Sequence, residues 1–175
     1  MFSDRTIRVM LEKGEIVITP TPEPYSISMQ PASVELRLGN QMIRRGRMKD
    51  QSILVEEGER ITIVPGACFL ARTVEWIELP DNIYGRVEGK STWGRKFLQV
   101  HSTAGFIDPG FKGTLTLELK NEGEQPIFLT PTVRICQISF GWMDCQVERP
   151  YGHPDLRSHY QGQVEPALPH GEDLR

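Results

Sequence analysis

Thr114-Leu115-Thr116-Leu117-Glu118-Leu119-Lys120 alternates polar and apolar residues in the manner of an extended strand. Successive side chains of a strand point to opposite faces, so Leu115, Leu117 and Leu119 share an apolar face while Thr116 and Glu118 point the other way. A carboxylate in the middle of such a strand, held in a partly dry pocket, has the setting that general acid/base work requires. Ile135-Cys136-Gln137-Ile138-Ser139-Phe140 repeats the pattern, with Cys136, Ile138 and Phe140 toward a core and Gln137 and Ser139 opposite. Both strands therefore offer a polar face for lining a site.

Outward from these two, β-rich runs recur over residues 61–64, 69–79 and 83–88. Pro65-Gly66, Pro80-Asp81-Asn82, Pro109-Gly110 and Asn121-Glu122-Gly123 separate such runs as turn formers. Many short strands at this spacing predict a mainly β protein, a barrel or a sandwich. The amino terminus differs: Ser3 is placed to cap a short helix over residues 3–13, with Ile7, Met10 and Leu11 on one face. No internal repeat is present. Residues 148–175 are poor in aliphatics and rich in Pro, Gly, His and Gln, and such a tail supplies little core. It is either a frayed terminus or, through Tyr151, His159, Tyr160, Gln161 and Gln163, a clasp for a ligand.

The chain has 175 residues, 38% hydrophobic and 25% charged, which suits one ordinary soluble domain. No stretch approaches the roughly 20 apolar residues of a membrane span. Met1-Phe2-Ser3-Asp4-Arg5 lacks the apolar run of a secretory signal. Three scattered cysteines are too few for a disulfide framework, and the expectation is a reduced, cytoplasmic setting. A net charge of −3 with a pI near 5.8 argues against a nucleic-acid surface. A free nucleotide stays open, because a few cations in one loop hold a polyphosphate whatever the overall balance.

Such a loop exists. Glu88-Gly89-Lys90-Ser91-Thr92-Trp93-Gly94-Arg95 joins flexible backbone to hydroxyls and cations, the donors a polyphosphate needs. Gly85 lies one residue too close for a P-loop and no long helix follows, so that motif is rejected. Without further context an ordinary solvated loop is the favoured reading of the segment. Zinc-dependent deamination of a base calls for H-x-E and P-C-x-x-C, and neither occurs. His101, His153, His159 and His170 are dispersed, and each alone reads as structural or superficial. No metal held directly by the protein is expected. Asp108 and Glu118 flank the Pro109-Gly110 turn. An arbitrary pair of carboxylates would be surface charge, but Glu118 interrupts a leucine-alternating strand and is the stronger candidate.

GRVEGKSTWGRKFLQVHSTAGFIDPGFKGTLTLELKNEG (residues 85–123) and RICQISF (134–140) resemble the dCTP deaminase family of the dUTPase-like superfamily. QPASVELRLG (30–39), RPYG (149–152) and HYQGQ (159–163) extend the match, and residues 3–20 resemble the family's opening helix and strand. The resemblance covers nearly the whole chain, shortened around residues 44–54. It implies a distorted β-barrel or jelly-roll with a short N-terminal helix, assembled as a homotrimer. Residues 1–148 would form the β domain, and 149–175 a flexible tail closing over the nucleotide.

By the same resemblance Glu118 is the catalytic glutamate, activating water for attack on C4 of cytosine. Ser91 and Arg95 organise the site and its water from the neighbouring subunit. Lys90, Thr92, Trp93 and Gly94 complete the phosphate-binding loop. Asp108 meets the deoxyribose 3′-hydroxyl, and Ala104, Thr116, Leu117 and Gln137 complete the nucleotide contacts. Tyr151, His159 and Gln163 fold over the triphosphate, with Mg²⁺ on the phosphates. The implied partners are dCTP and dUTP, with dTTP as feedback inhibitor. The chain departs from the family pattern with His159 for a usual lysine and Glu35 for aspartate. Trp93 and Phe97 also replace smaller or different apolar residues. Thr103-Ala104-Gly105-Phe106 resembles the bifunctional members that carry dCTP through to dUMP; purely deaminating members have histidine and a basic residue after the threonine-alanine pair. A dUTP diphosphatase and a non-catalytic nucleotide-sensing module are the alternative classes.

Overall fold

Ser3 caps the first element as expected, its hydroxyl accepting the Thr6 N–H ahead of α1 (Asp4–Glu12). Ile7 is fully buried, and Met10 and Leu11 pack beside it against the core. The computed structural model describes residues 1–21, 28–46 and 48–170, so the last five residues of the tail lie outside the described residues.

The strands among these residues are β1 (Val17–Thr19), β2 (Met29–Gln30), β3 (Ser33–Arg45), β4 (Gln51–Leu54), β5 (Ile61–Ile63) and β6 (Cys68–Glu78). They continue with β7 (Ile83–Gly89), β8 (Leu98–Gln99), β9 (Phe106–Ile107), β10 (Lys112–Asn121), β11 (Ile127–Leu129) and β12 (Arg134–Trp142). A single helical turn, α2 (Ser91–Gly94), follows β7. Ten strands form one antiparallel sheet in the order β8-β10-β6-β3-β12-β7-β9, with β1 added to β6 and β2 and β4 to β3. β11 and β5 pair separately.

The long strand β3 joins the two halves of that sheet. Its first part pairs with β12, placing Val34 opposite Ile138. Its second part pairs with β6, placing Met42 opposite Ala71, after a register break between Leu38 and Met42. Such a break bends a strand and increases its twist. The expected mainly β architecture thus takes the form of a sheet curled into a half-barrel with one short helix.

The two diagnostic strands behave as read. Leu115, Leu117 and Leu119 are buried, as are Cys136, Ile138 and Phe140, while Thr116, Glu118, Gln137 and Ser139 are half-exposed. In β6 the same alternation buries Phe69, Ala71 and Ile77, and with them Thr73 and Glu75. Both polar groups are satisfied, as burial demands. Thr73 Oγ1 donates to the Glu75 carbonyl at 2.8 Å and accepts the Leu115 N–H at 3.0 Å, where β10 shifts register between Thr114 and Thr116. No described helix is long and apolar enough to cross a membrane.

Candidate active site

β10 carries Glu118 to the wall of a cavity of about 340 Å³, within the range of small-molecule sites. The Glu118 N–H donates to Val100 O at 3.0 Å, so the chain leaving β8 continues alongside β10. Two residues on, the Ser102 N–H donates to Glu118 Oε2 at 2.6 Å. Hydrogen bonds to a carboxylate are short and strong, and this one fixes the plane of the group. Among the described residues Glu118 Oε1 takes no hydrogen bond, which leaves that oxygen for a ligand. Ala104, Asp108, Thr116, Leu117, Tyr151 and Gln163 line the same cavity. The structure therefore gathers seven of the residues singled out in the sequence around one space.

The tail forms part of that wall, and sheet geometry explains why. β10 pairs with β6 along one edge, but on the other edge β8 reaches only Lys120 and Asn121. The first half of β10 would be left with unpaired backbone groups, and the tail supplies the partners. Gly162 donates to Lys112 O at 2.8 Å, and Thr114 donates to Gln163 O at 2.9 Å. The side-chain amide of Gln163 donates to Thr114 O at 2.7 Å, and Ala167 donates to Thr116 Oγ1 at 3.3 Å. Upstream, Tyr151 donates its N–H to Pro109 O at 2.8 Å, and its phenol oxygen accepts the Tyr160 N–H at 3.2 Å. Burial pushes the Tyr151 phenol above its ordinary range; the Tyr160 N–H opposes this and the charge of Asp108 adds to it.

Several lining residues, His101 and Ala167 among them, had no site role in the sequence reading, whereas Tyr160 stood there in a ligand clasp and Phe106 as a mark of the bifunctional subgroup. His101 faces the cavity with Nδ1 buried and without a hydrogen-bond partner among the described residues, and its Nε2 lies 3.8 Å from Glu88 Oε2. Phe106, Tyr160 and Ala167 also line it. Single side chains gave no periodic signal, and only the position of His101 just ahead of Ser102-Thr103-Ala104 marks it. Gly105 is required by space. A Cβ there would lie 2.9 Å from Val87 O and about as close to the His101 ring.

The loop after β7 lies elsewhere in the chain. Lys90 Nζ pairs with Glu35 at 2.6 Å, and the Trp93 indole donates to Arg134 O at 2.9 Å. Ser91, Thr92, Gly94 and Arg95 are exposed. Gln137 donates to Gly89 O and accepts the Ser33 hydroxyl at 2.7 Å, inside the sheet. None of these residues lines the Glu118 cavity. His159 lines an adjoining space of about 460 Å³ that shares Phe106, Asp108, Tyr151 and Tyr160 with the first, and its ring stacks on His170 at 4.1 Å. Among the described residues no three His, Cys, Asp or Glu side chains converge.

The curled sheet is similar to that of a 2′-deoxycytidine 5′-triphosphate deaminase from Agrobacterium tumefaciens, with a TM-score of 0.69 at 20% identity. That likeness covers 81% of this chain and 47% of the other, so this chain spans about half its length. A variant dUTPase of Staphylococcus bacteriophage 80alpha is similar with a TM-score of 0.51 at 14% identity, over 77% of this chain and 96% of that one. The fold is therefore of the dUTPase-like class.

Sequence narrows the class further. Residues 1–143 match the dCTP deaminase-like family. A Methanobrevibacter smithii protein named "dCTP deaminase, dUMP-forming" is 41% identical over 95% of this chain and 92% of its own length. A Natronomonas pharaonis protein named "dCTP deaminase" is 39% identical over 95% and 92% respectively. The chain belongs to the dCTP deaminase-like family.

Proposed function

We propose that this protein hydrolyses dCTP to dUTP and ammonia and carries dUTP on to dUMP and diphosphate. The observation that bears most weight is Glu118, oriented by the Ser102 N–H with one carboxylate oxygen left for a ligand in a cavity of nucleoside size. The first step needs one group that moves a proton in turn. Glu118 takes a proton from the water attacking C4 and delivers it to N3. It then moves the new hydroxyl's proton to the exocyclic amine, which departs as ammonia. Carbonyls of residues 102–104 orient the amine, and fixed dipoles supply electrostatic stabilisation without zinc.

Asp108 takes the deoxyribose 3′-hydroxyl and, with Glu118, positions water for attack at the α-phosphorus, releasing diphosphate. Gly105-Phe106 and the dUMP-forming names of the relatives support this second step. Tyr151, His159 and Gln163 close over the triphosphate. Mg²⁺ bound through phosphate oxygens would offset their charge. Ser91 and Arg95 are exposed and away from Glu118, as suits residues that complete a neighbouring subunit's site, so the proposal includes a homotrimer. Feedback by dTTP at the same cavity and a reduced cytoplasmic setting for three free cysteines belong to the same reading.

The test is product analysis with dCTP and with dUTP after zinc chelation. Ammonia and dUMP from dCTP are expected. Diphosphate release from dUTP without ammonia from dCTP would identify a diphosphatase, and binding without products a sensing module.

A further inference from the structure

Residues 160–169 form a loop whose two ends meet. The imidazole rings of His159 and His170 stack with centroids 4.1 Å apart and 14° between their planes. Within the loop Gly162 donates to Lys112 O at 2.8 Å, and Gln163 O accepts the Thr114 N–H at 2.9 Å. Farther along, Gln41 of β3 donates to Glu165 Oε1 and Ala167 donates to Thr116 Oγ1, both at 3.3 Å. These two bonds are longer than the usual range, which leaves the far end of the loop to the ring contact. Ala167 and Pro169 line the Glu118 cavity. The histidine pair therefore closes the segment that forms part of the cavity wall.

Two neutral imidazoles attract as stacked rings, while two imidazolium ions at this separation repel. Histidine is the side chain whose ordinary change of charge falls between roughly pH 5 and 8. The charged and titratable groups lining the space around His159 are Asp108, Arg149, Arg157 and the phenols of Tyr151 and Tyr160. The Tyr160 ring stands edge-on to His159 at 6.2 Å. One carboxylate against two guanidinium groups leaves this lining net positive. Asp108 can match a single imidazolium, and a second charge on the pair is disfavoured.

We propose that the His159–His170 pair is a pH-dependent clasp. It holds residues 160–169 against β10 and the Glu118 cavity while at most one ring is protonated, and releases them when both are. The wall formed by Ala167 and Pro169 is then in place at neutral pH and withdrawn in acid. The clasp needs only the tail and the cavity, whatever reaction the cavity serves.

Amide hydrogen exchange of the whole protein without nucleotide tests it, at about pH 8 and about pH 5.5, with the intrinsic pH dependence of exchange divided out. Protection of the Thr114, Gly162 and Ala167 amides is expected to fall roughly tenfold or more in acid, with the amides of β12 unchanged. His170→Phe keeps a stacked ring that cannot charge, and its tail amides should stay protected at both pH values. His170→Ala should expose them at both. His170 is exposed, so both variants leave the core intact. Equal protection of the unaltered protein at the two pH values overturns the clasp. An acid loss in His170→Phe as large as in the unaltered protein overturns it too, as does full protection in His170→Ala. No nucleotide is present in these measurements, so failure to release ammonia from dCTP would overturn the proposed function and leave the clasp standing.

Discussion

The Ser102 backbone N–H donates to Glu118 Oε2 at 2.6 Å, and that bond sets where the carboxylate's other oxygen lies. Glutamine in place of Glu118 keeps the shape and an oxygen for Ser102 but cannot carry the proton. Glu118→Gln is expected to lower ammonia release from dCTP by on the order of 10²–10⁴-fold. Nucleotide binding, read by calorimetry, should persist. Turnover at the original rate would remove Glu118 from its proposed role.

The tail completes the free edge of β10 and contributes little to the apolar core, in which Tyr151 is the last packed residue described. Deleting everything after residue 158 should therefore lower the melting temperature only modestly, through lost hydrogen bonds of about 1 kcal/mol net each, with the apolar core left intact. The nucleotide KM should rise roughly tenfold or more, since Tyr160, Gln163 and Ala167 are lost from the cavity wall. A large fall in melting temperature with an unaltered KM would contradict this division of labour.

Tyr151 has its phenol pushed above the ordinary value of 10.0 by burial. The folded state then holds its proton more tightly than the unfolded chain. The associated stability is complete below pH 10.0 and is lost as pH rises through the folded value. Spectrophotometric titration should show a phenol that ionises above the ordinary value of 10.0. Tyr151→Phe should remove that late transition.

Gly105 leaves no room for a side chain, because a Cβ would sit 2.9 Å from Val87 O. Val87 also donates to Gly105 O at 2.8 Å, so the backbone has little freedom to retreat. Gly105→Ala should cost roughly 1–3 kcal/mol in denaturant unfolding, the usual range for overpacking. Its deaminase activity should fall as residues 102–104 shift relative to Glu118. An unaltered midpoint and rate would show that the loop yields freely.

Glu118 and Thr116 could be picked out of the sequence because each interrupts an apolar alternation, and which face a strand residue takes is a local matter. The same holds for Ser3 at the head of α1 and for Gly66 and Gly110, whose φ values of 76° and 89° suit turn glycines. β3 was not legible in this way. Residues 33–36 are buried on both faces and the strand changes partner midway, so no period of two survives in Val34-Glu35-Leu36-Arg37.

What the sequence alone determined is where strands begin, which side chains turn inward, and which polar groups stand out against that pattern. These depend on neighbours a few residues away. Tertiary structure decided which of those groups meet. An unpaired stretch of β10 draws an aliphatic-poor tail onto its edge, and the bend after β8 brings the Ser102 amide to Glu118. Glu35 holds Lys90, and the indole of Trp93 is anchored on Arg134, outside the Glu118 cavity. Each of those outcomes depends on which distant donor finds which acceptor, and no local spacing encodes that.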